Sequence, residues 1–206
     1  MAEKYPIPAG ELVFEEEIKA SRFITVLSHC SSETDLKSVL TDVKSRYPGA
    51  SHYCWAYVAA APDNSVAIGS SDDGEPSGSA GRPMLATLQG SGLGEVCAVV
   101  VRYYGGTKLG VGGLVRAYTS GIKKALPDLP TQLRELKYPS RLCCDYGQLA
   151  DIEYLLGKHG GDILERDFGG KVTLQLQLPK ANLADLNRDL ATLTQGQIVL
   201  KFDEFE

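Results

Sequence analysis

Two short segments hold the residues that could do chemistry. Residues 71–83 read SDDGEPSGSAGRP and place three carboxylates, Asp72, Asp73 and Glu75, within four positions. Residues 102–113 read RYYGGTKLGVGG and contain five glycines. Glycine is used where the backbone must bend sharply or approach another group closely. We call these the acidic segment and the glycine segment. The first offers oxygen ligands, and the second offers backbone amides.

The glycine segment lies where a phosphate could bind. It follows an apolar run, residues 96–101, that is typical of a buried strand, and it precedes an amphipathic helix predicted from Gly113 to Leu126. Backbone amides at a helix N-terminus attract anions, and Arg116, one turn into the helix, would add a positive charge. The glycines could equally serve a tight crossover packed against the sheet. The segment matches neither the Walker A pattern nor GxGxxG.

The acidic segment allows three interpretations. Its carboxylates could hold Mg²⁺, which prefers oxygen ligands. They could equally belong to a solvated turn, because Asp-Gly and Pro-Ser-Gly are typical turn sequences. In a third interpretation Asp72 or Asp73 pairs with an arginine and joins the two segments. That arginine would be Arg102 or Arg116. The sequence identifies no second group of ligands, so we predict no metal and no cofactor.

The remaining composition limits catalysis and partners. The three histidines have no recognisable nucleophile context, and the five cysteines contain no CxxC pair, so we predict buried free thiols and no catalytic residue. The net charge is −5 and neither half is basic, so any nucleic-acid contact needs a local patch. We expect no membrane span and no secretory signal, and therefore a cytoplasmic protein.

Hydrophobic periodicity and turn residues predict two domains, residues 1–128 and 131–206, joined at the Pro-Asp-Leu-Pro sequence of residues 127–130. The first contains strands at 11–18, 22–28, 53–60 and 96–101 and helices at 33–47, 84–89 and 113–126. The second contains strands at 136–145, 161–168, 171–178 and 197–202 and helices at 148–158 and around Leu183–Leu193. The second order is βαββαβ, that of a ferredoxin-like domain.

Several motifs resemble those of the IMPACT/YigZ family. They are SDDGEP at 71–76, GRPML at 81–85, VVVRYYGG at 99–106, LG at 109–110 and GGLVRAY at 112–118. In the family pattern the positions of Thr107 and Lys108 are free. The resemblance implies an α+β protein of two domains. The first would be a β-α sandwich like a domain of a ribosomal protein and of elongation factor G, and the second a ferredoxin-like domain. Eukaryotic relatives regulate translation under amino-acid starvation.

We therefore expect a non-enzymatic cytoplasmic regulator related to translation, which binds RNA, the ribosome or a translation factor. Contact would run through Arg102, Tyr103, Gly105, Gly106, Gly110, Gly112, Gly113 and Arg116. The acidic segment, Asp72, Asp73, Gly74 and Glu75, would shape or gate that surface. Two alternatives stay open. One is a small-molecule enzyme that binds a phosphate or nucleotide with magnesium at the acidic segment. The other is a protein–protein regulatory module.

Overall fold

The computed structural model describes residues 3–203, which fold as two compact units divided between Arg134 and Glu135. The predicted joint lies a few residues before this division. The difference arises because Thr131–Glu135 forms a strand that pairs with the first strand of the chain, Lys4–Pro8. Within residues 3–203, every helix is too short or too polar to span a bilayer.

The first unit is built on an antiparallel sheet with helices on both faces. Its elements are β1 (Lys4–Pro8), β2 (Leu12–Ile18), β3 (Ser21–His29), α1 (Glu33–Arg46), β4 (His52–Val58), β5 (Ile68–Ser71), α2 (Gly81–Gly90), β6 (Val96–Tyr103), α3 (Val111–Ala125) and β7 (Thr131–Glu135). The sheet order is β2-β3-β6-β4-β5, and β1 pairs with β7. Helix α1 packs on one face of the large sheet, and α2 and α3 pack on the other.

The helices of this unit follow from their sequence signals. Helix α1 begins after Ser32, whose hydroxyl accepts a hydrogen bond from the Asp35 amide, as expected of an N-cap serine. Helix α3 buries the apolar face that its periodicity predicts: Leu114, Tyr118, Ile122 and Ala125. It begins at Val111 and not at Gly113, because the Gly110 carbonyl already accepts the amide of Leu114.

Four elements of the first unit go beyond the prediction, which contains neither β1 nor β7. Helix α2 begins at Gly81, three residues before the predicted start at Met84. Strand β5 lies in a stretch predicted as loop, since four residues, Ile68–Ser71, are too few to show a period. It pairs with β4 and forms an edge of the sheet. The acidic segment therefore begins at the end of a strand and leads directly into a helix.

The second unit is a smaller sheet with two helices. Its elements are β8 (Lys137–Cys144), α4 (Leu149–Lys158), β9 (Asp162–Phe168), β10 (Val172–Pro179) and α5 (Leu183–Thr194). The antiparallel sheet has the order β8-β10-β9, and Gly169-Gly170 forms the predicted turn between β9 and β10. Apolar residues of the sheet and both helices form one core. The predicted two-domain α+β architecture is confirmed.

The predicted last strand, residues 197–202, is reduced to a single bridge between Ser140 and Phe202. Its backbone groups bond to side chains instead of forming a ladder. Asn187 accepts from the Leu200 amide at 2.7 Å and donates to the Leu200 carbonyl at 3.0 Å. The segment still lies beside β8, in the position of the fourth strand of a ferredoxin-like sheet. The order βαββα is therefore followed by an irregular sixth segment.

Gly105 packs the glycine segment closely against the sheet. Strands β2 and β3 join at a tight turn in which Lys19 and Ala20 both have positive φ, 49° and 64°. A Cβ on Gly105 would lie 1.9 Å from the Ala20 carbonyl oxygen, so only glycine fits here. The Gly105 amide also donates to the Ser21 hydroxyl at 3.2 Å. The crossover interpretation therefore accounts for this glycine.

Replacement of Gly105 should make the first unit easier to unfold. We expect Gly105→Ala to lower the free energy of unfolding by at least about 2 kcal/mol, because the new methyl group forces the turn backbone to move. Trp55, the single tryptophan, lies in β4 and reports urea unfolding of this unit by fluorescence. The matched control is Gly112→Ala, whose Cβ would meet no atom of residues 3–203 within 4 Å and which should be neutral or slightly stabilising.

Candidate functional site

A buried ion pair joins the acidic segment to strand β6. Arg102 Nη1 donates to Glu75 Oε1 at 2.6 Å, and the Tyr118 hydroxyl donates to the same oxygen at 2.7 Å. Both charged side chains are almost fully buried. The Ser21 hydroxyl accepts a longer bond, 3.4 Å, from Arg102 Nη2. The two segments are thus linked, as the third interpretation predicts, but through Glu75 and not through Asp72 or Asp73.

Aromatic rings enclose the arginine of this pair. The Arg102 guanidinium carbon lies 5.5 Å from the centre of the Phe23 ring and 5.3 Å from that of Tyr104. Arg102 is 5% exposed, and its Nε has no hydrogen-bond partner among the described residues. A buried donor without a partner costs free energy. Arg102 is therefore held rigidly, with hydrogen-bonding capacity left over.

Asp72 holds the rest of the acidic segment together. Its carboxylate accepts three backbone amides at 2.8–3.0 Å, those of Gly78, Ala80 and Gly81. Partial burial alone would raise the pKa of this carboxyl, but the three amides outweigh that effect and hold the pKa below its usual range. Gly81 is the first residue of helix α2, so the carboxylate also stabilises the helix N-terminus.

Asp73 connects the same segment to strand β4. Its carboxylate accepts the Tyr53 amide at 2.6 Å, and its carbonyl oxygen lies 2.8 Å from His52 Nδ1. A carbonyl oxygen can only accept, so Nδ1 carries the hydrogen, and a neutral His52 has an unprotonated Nε2. That nitrogen lies 3.9 Å from Glu75 Oε1. All three carboxylates of the acidic segment are thus engaged in bonds within the protein.

No described residue near this segment resembles a prepared nucleophile. Burial raises the pKa of the Cys54 thiol to about 12, and burial beside Cys54 and Glu75 raises the pKa of Tyr118 well above its usual value. Both groups stay protonated at neutral pH. Across residues 3–203, no group of three or more His, Cys, Asp or Glu side chains is placed to hold a metal ion. Asp73 is an exposed turn residue, as the solvated-turn interpretation expects, whereas the carboxylates of Asp72 and Glu75 are bonded within the protein.

The cysteines fit the predicted free thiols with one exception. None is in a disulfide, and four are buried: Cys30, Cys54, Cys97 and Cys144. Cys143 is exposed, because it lies on the open face of the second sheet at a position opposite Thr173. Sequence alone did not distinguish Cys143 from the neighbouring Cys144, since both continue the same apolar run.

Helix α3 has no side-chain cap at its N-terminus. Its N-cap residue, Gly110, has φ +72° and no side chain to accept the first amides, and its first turn has no acidic residue. The amide ends of a helix carry a partial positive charge that favours an anion. In proteins such ends usually receive Ser, Thr, Asp or Asn caps. This end is therefore chemically suited to accept an external anion.

The free end of α3 and the buried arginine line one pocket of about 510 Å³. Gly110 and Val111 contribute the helix end, and Lys108 contributes a flexible positive charge. His52 and Tyr104 line the same pocket, as do Glu75, Pro76, Leu109, Arg102 and Leu114. With Glu75 neutralised by Arg102, the lysine and the helix end leave an excess of positive character. The arrangement therefore favours an anion.

The structure brings together only part of the predicted contact surface. Arg102 and Gly110 line the pocket, whereas Gly113 and Arg116 line a neighbouring one. Gly105 packs on the hairpin turn, and a Cβ added to Gly106 or Gly112 would meet no atom within 4 Å among the described residues. Tyr103 lies on the opposite face, where its hydroxyl donates to the Pro48 carbonyl at 3.1 Å.

Sequence reasoning missed two pocket residues. The family pattern leaves the position of Lys108 free, and the sequence around His52 indicates only a strand without a role in a site. Both residues line the pocket. Alternation along each strand does not reveal this pairing, because only the register of β4 and β6 in the fold places His52 opposite Arg102.

Removal of the buried carboxylate should strongly destabilise the first unit. We expect Glu75→Ala to lower the free energy of unfolding by about 3 to 5 kcal/mol, because the Arg102 charge then stays buried without a partner. Urea unfolding followed by Trp55 fluorescence measures the loss. The control is Glu15→Ala, which removes an exposed pair with Arg22 and should shift the midpoint little. Equal effects of the two changes would contradict this account of the site.

The Asp72 cap should make stability depend on acidic pH. The pKa of Asp72 is lower in the folded protein than in the unfolded chain, so its contribution is present above about pH 4 and is lost as pH falls through the folded pKa. We expect Asp72→Asn to cost about 1 kcal/mol at pH 7, and the difference from wild type to shrink towards about pH 2. Thermal unfolding at several pH values measures this. A difference that stays constant with pH would contradict it.

Comparison with known proteins shows the family. A family model described as the Impact N-terminal domain matches residues 19–126, and a second one, a domain of unknown function called DUF1949, matches residues 142–197. The Escherichia coli (strain K12) protein named IMPACT family member YigZ is 48% identical over 96% of this chain and 97% of its own length. The Bacillus subtilis (strain 168) protein named IMPACT family member YvyE is 35% identical over 95% of this chain and 88% of its own length.

A Haemophilus influenzae relative, named IMPACT family member, is 44% identical over 99% of this chain and 98% of its own. A crystal structure described as that of a hypothetical protein is 47% identical, has a TM-score of 0.82 and is matched over 100% of both chains. The resemblance read from the motifs at residues 71–76, 99–106 and 112–118 is thus confirmed, and the chain belongs to the IMPACT family.

Proposed function

We propose that this protein binds RNA without catalysing a reaction, and that it acts in connection with translation. The site is the pocket at the N-terminus of α3. The observation that carries the proposal is that the uncapped amide end of α3 and the buried, incompletely bonded Arg102 line the same pocket. Both are groups that bind phosphate oxygens well.

Charge supports a local and not a general attraction to nucleic acid. The whole chain carries −5, so an anionic polymer is repelled by most of the surface. Around the glycine segment this balance reverses. Lys108, Lys19 and Arg116 line its two pockets, and Glu75, the one carboxylate among the described lining residues, is paired with Arg102. RNA contact is therefore confined to this part of the first unit.

The enzyme alternative has less support. It needs carboxylates that can turn towards a magnesium ion and a group that can act as base or nucleophile. Asp72 and Asp73 instead accept backbone amides, and Glu75 is bonded to Arg102 and Tyr118. Release of any of these carboxylates would break bonds that hold the pocket wall. Binding of phosphate without chemistry is the simpler use of this arrangement.

The test is the salt dependence of RNA binding. We expect a fluorescein-labelled single-stranded RNA oligonucleotide to bind the full chain at low salt, with log affinity falling linearly with log salt concentration. Each phosphate contact contributes about −0.7 to the slope, so Lys108→Ala and Arg116→Ala should each make the slope shallower by roughly that amount. Fluorescence anisotropy over a salt series measures both quantities.

Lys37→Ala is the matched control, because it removes one positive charge from α1, on the other face of the sheet. Its slope should equal that of wild type. Arg102→Ala would leave Glu75 buried without its partner, so its effect on RNA binding would be mixed with a loss of stability. Absence of RNA binding at low salt would sink the proposal, as would an equal loss of affinity in Lys37→Ala and Lys108→Ala.

A further inference from the structure

The glycine segment separates two pockets that share a wall. The first is the pocket at the N-terminus of α3, and the second, of about 440 Å³, is lined by Lys19, Gly113, Arg116 and residues around them. Leu109 lines both. One side chain thus divides two neighbouring sites, one on each side of the glycine segment.

Both pockets are suited to a singly charged phosphate. In the first, the Glu75 carboxylate offsets the Arg102 charge, so Lys108 and the helix end remain to meet an anion. In the second, Lys19 and Arg116 line the pocket together with apolar and small residues, without a carboxylate among the described lining residues. Arg116 Nε donates to the Gly112 carbonyl at 3.2 Å, which directs its side chain along the helix. A phosphodiester carries one negative charge, and a chain of them supplies successive charges at regular spacing.

An aromatic ring lies beside the first pocket. Tyr104 is 49% exposed, and the Arg102 guanidinium lies over its ring at 5.3 Å. Its backbone amide donates to the Ser51 hydroxyl at 3.2 Å, which fixes the main chain of this residue beside the pocket. Exposed rings backed by a cation are platforms on which unpaired bases stack.

Resting on the function proposed above, we infer that the bound nucleic acid is single-stranded and crosses the glycine segment. Successive phosphates lie in the two pockets on either side of Leu109, and one base stacks on Tyr104. A double helix keeps its bases paired and stacked inside, so it has no free base face for this ring. The recessed pockets also favour a flexible strand, since a flexible backbone can bend around the Leu109 wall.

The test compares single-stranded and duplex RNA of one sequence in anisotropy titrations with the full chain. We expect the single strand to bind at least about 10-fold more tightly. Tyr104→Leu should weaken single-strand binding by about 5-fold to 150-fold, the range found for one stacked base, whereas Tyr104→Phe should bind the single strand as tightly as wild type. Duplex affinity should be the same in all three proteins. Trp55 fluorescence in urea checks that the variants remain folded.

A second measurement tests whether the strand occupies both pockets. Lys19→Ala and Lys108→Ala each remove a charge from a different pocket, and the double variant should make the salt slope shallower by about 1.4, twice the single effect. An unchanged slope in Lys19→Ala would overturn the path. Equal affinity for duplex and single strand, with Lys108 still required, would overturn the single-strand inference and leave RNA binding intact. Loss of all binding at low salt would remove both.

Discussion

The buried pair between Arg102 and Glu75 is the interaction on which the site depends. Two charges leave water, and the loss is balanced only because Tyr118, Ser21 and the aromatic rings of Phe23 and Tyr104 surround them. Buried ion pairs often add little net stability compared with apolar residues of the same size. What this pair contributes is position: it holds the acidic segment against β6 and keeps a guanidinium at a defined place in the pocket.

The carboxylates of the acidic segment bond to the protein around the site. The Asp72 carboxylate binds backbone amides that begin α2, and the Asp73 carboxylate binds an amide of strand β4. The carboxylates of this segment therefore form hydrogen bonds within the protein, and the lining of the pocket keeps the helix end and Lys108 as its positive groups. The acidic sequence of residues 72–75 therefore does not make the adjacent pocket negative.

Sequence patterns predicted the helices and strands that periodicity specifies. They did not predict contacts that depend on the position of a single side chain. The apolar face of α3 and the longer strands followed from residue spacing. The partner of Arg102 did not, because three neighbouring carboxylates are equivalent in sequence, and only the turn geometry selects Glu75. Residues 197–202 have a strand-like pattern, but Asn187 takes the backbone groups of Leu200. Lys108 reaches the pocket through loop geometry that no pattern reports.

The wall of the pocket joins parts of the chain that are far apart. Ser21 and Gly105, which bond directly, are separated by 84 positions, and β3 must pair with β6 before they meet. Contacts of such long range form late in folding, because the intervening loop must close first. The site therefore forms only when strands β3 and β6 are paired. A molecule seated in it stabilises that closed arrangement by mass action and slows solvent exchange of the amides along β6, so occupancy can be read far from the ligand itself.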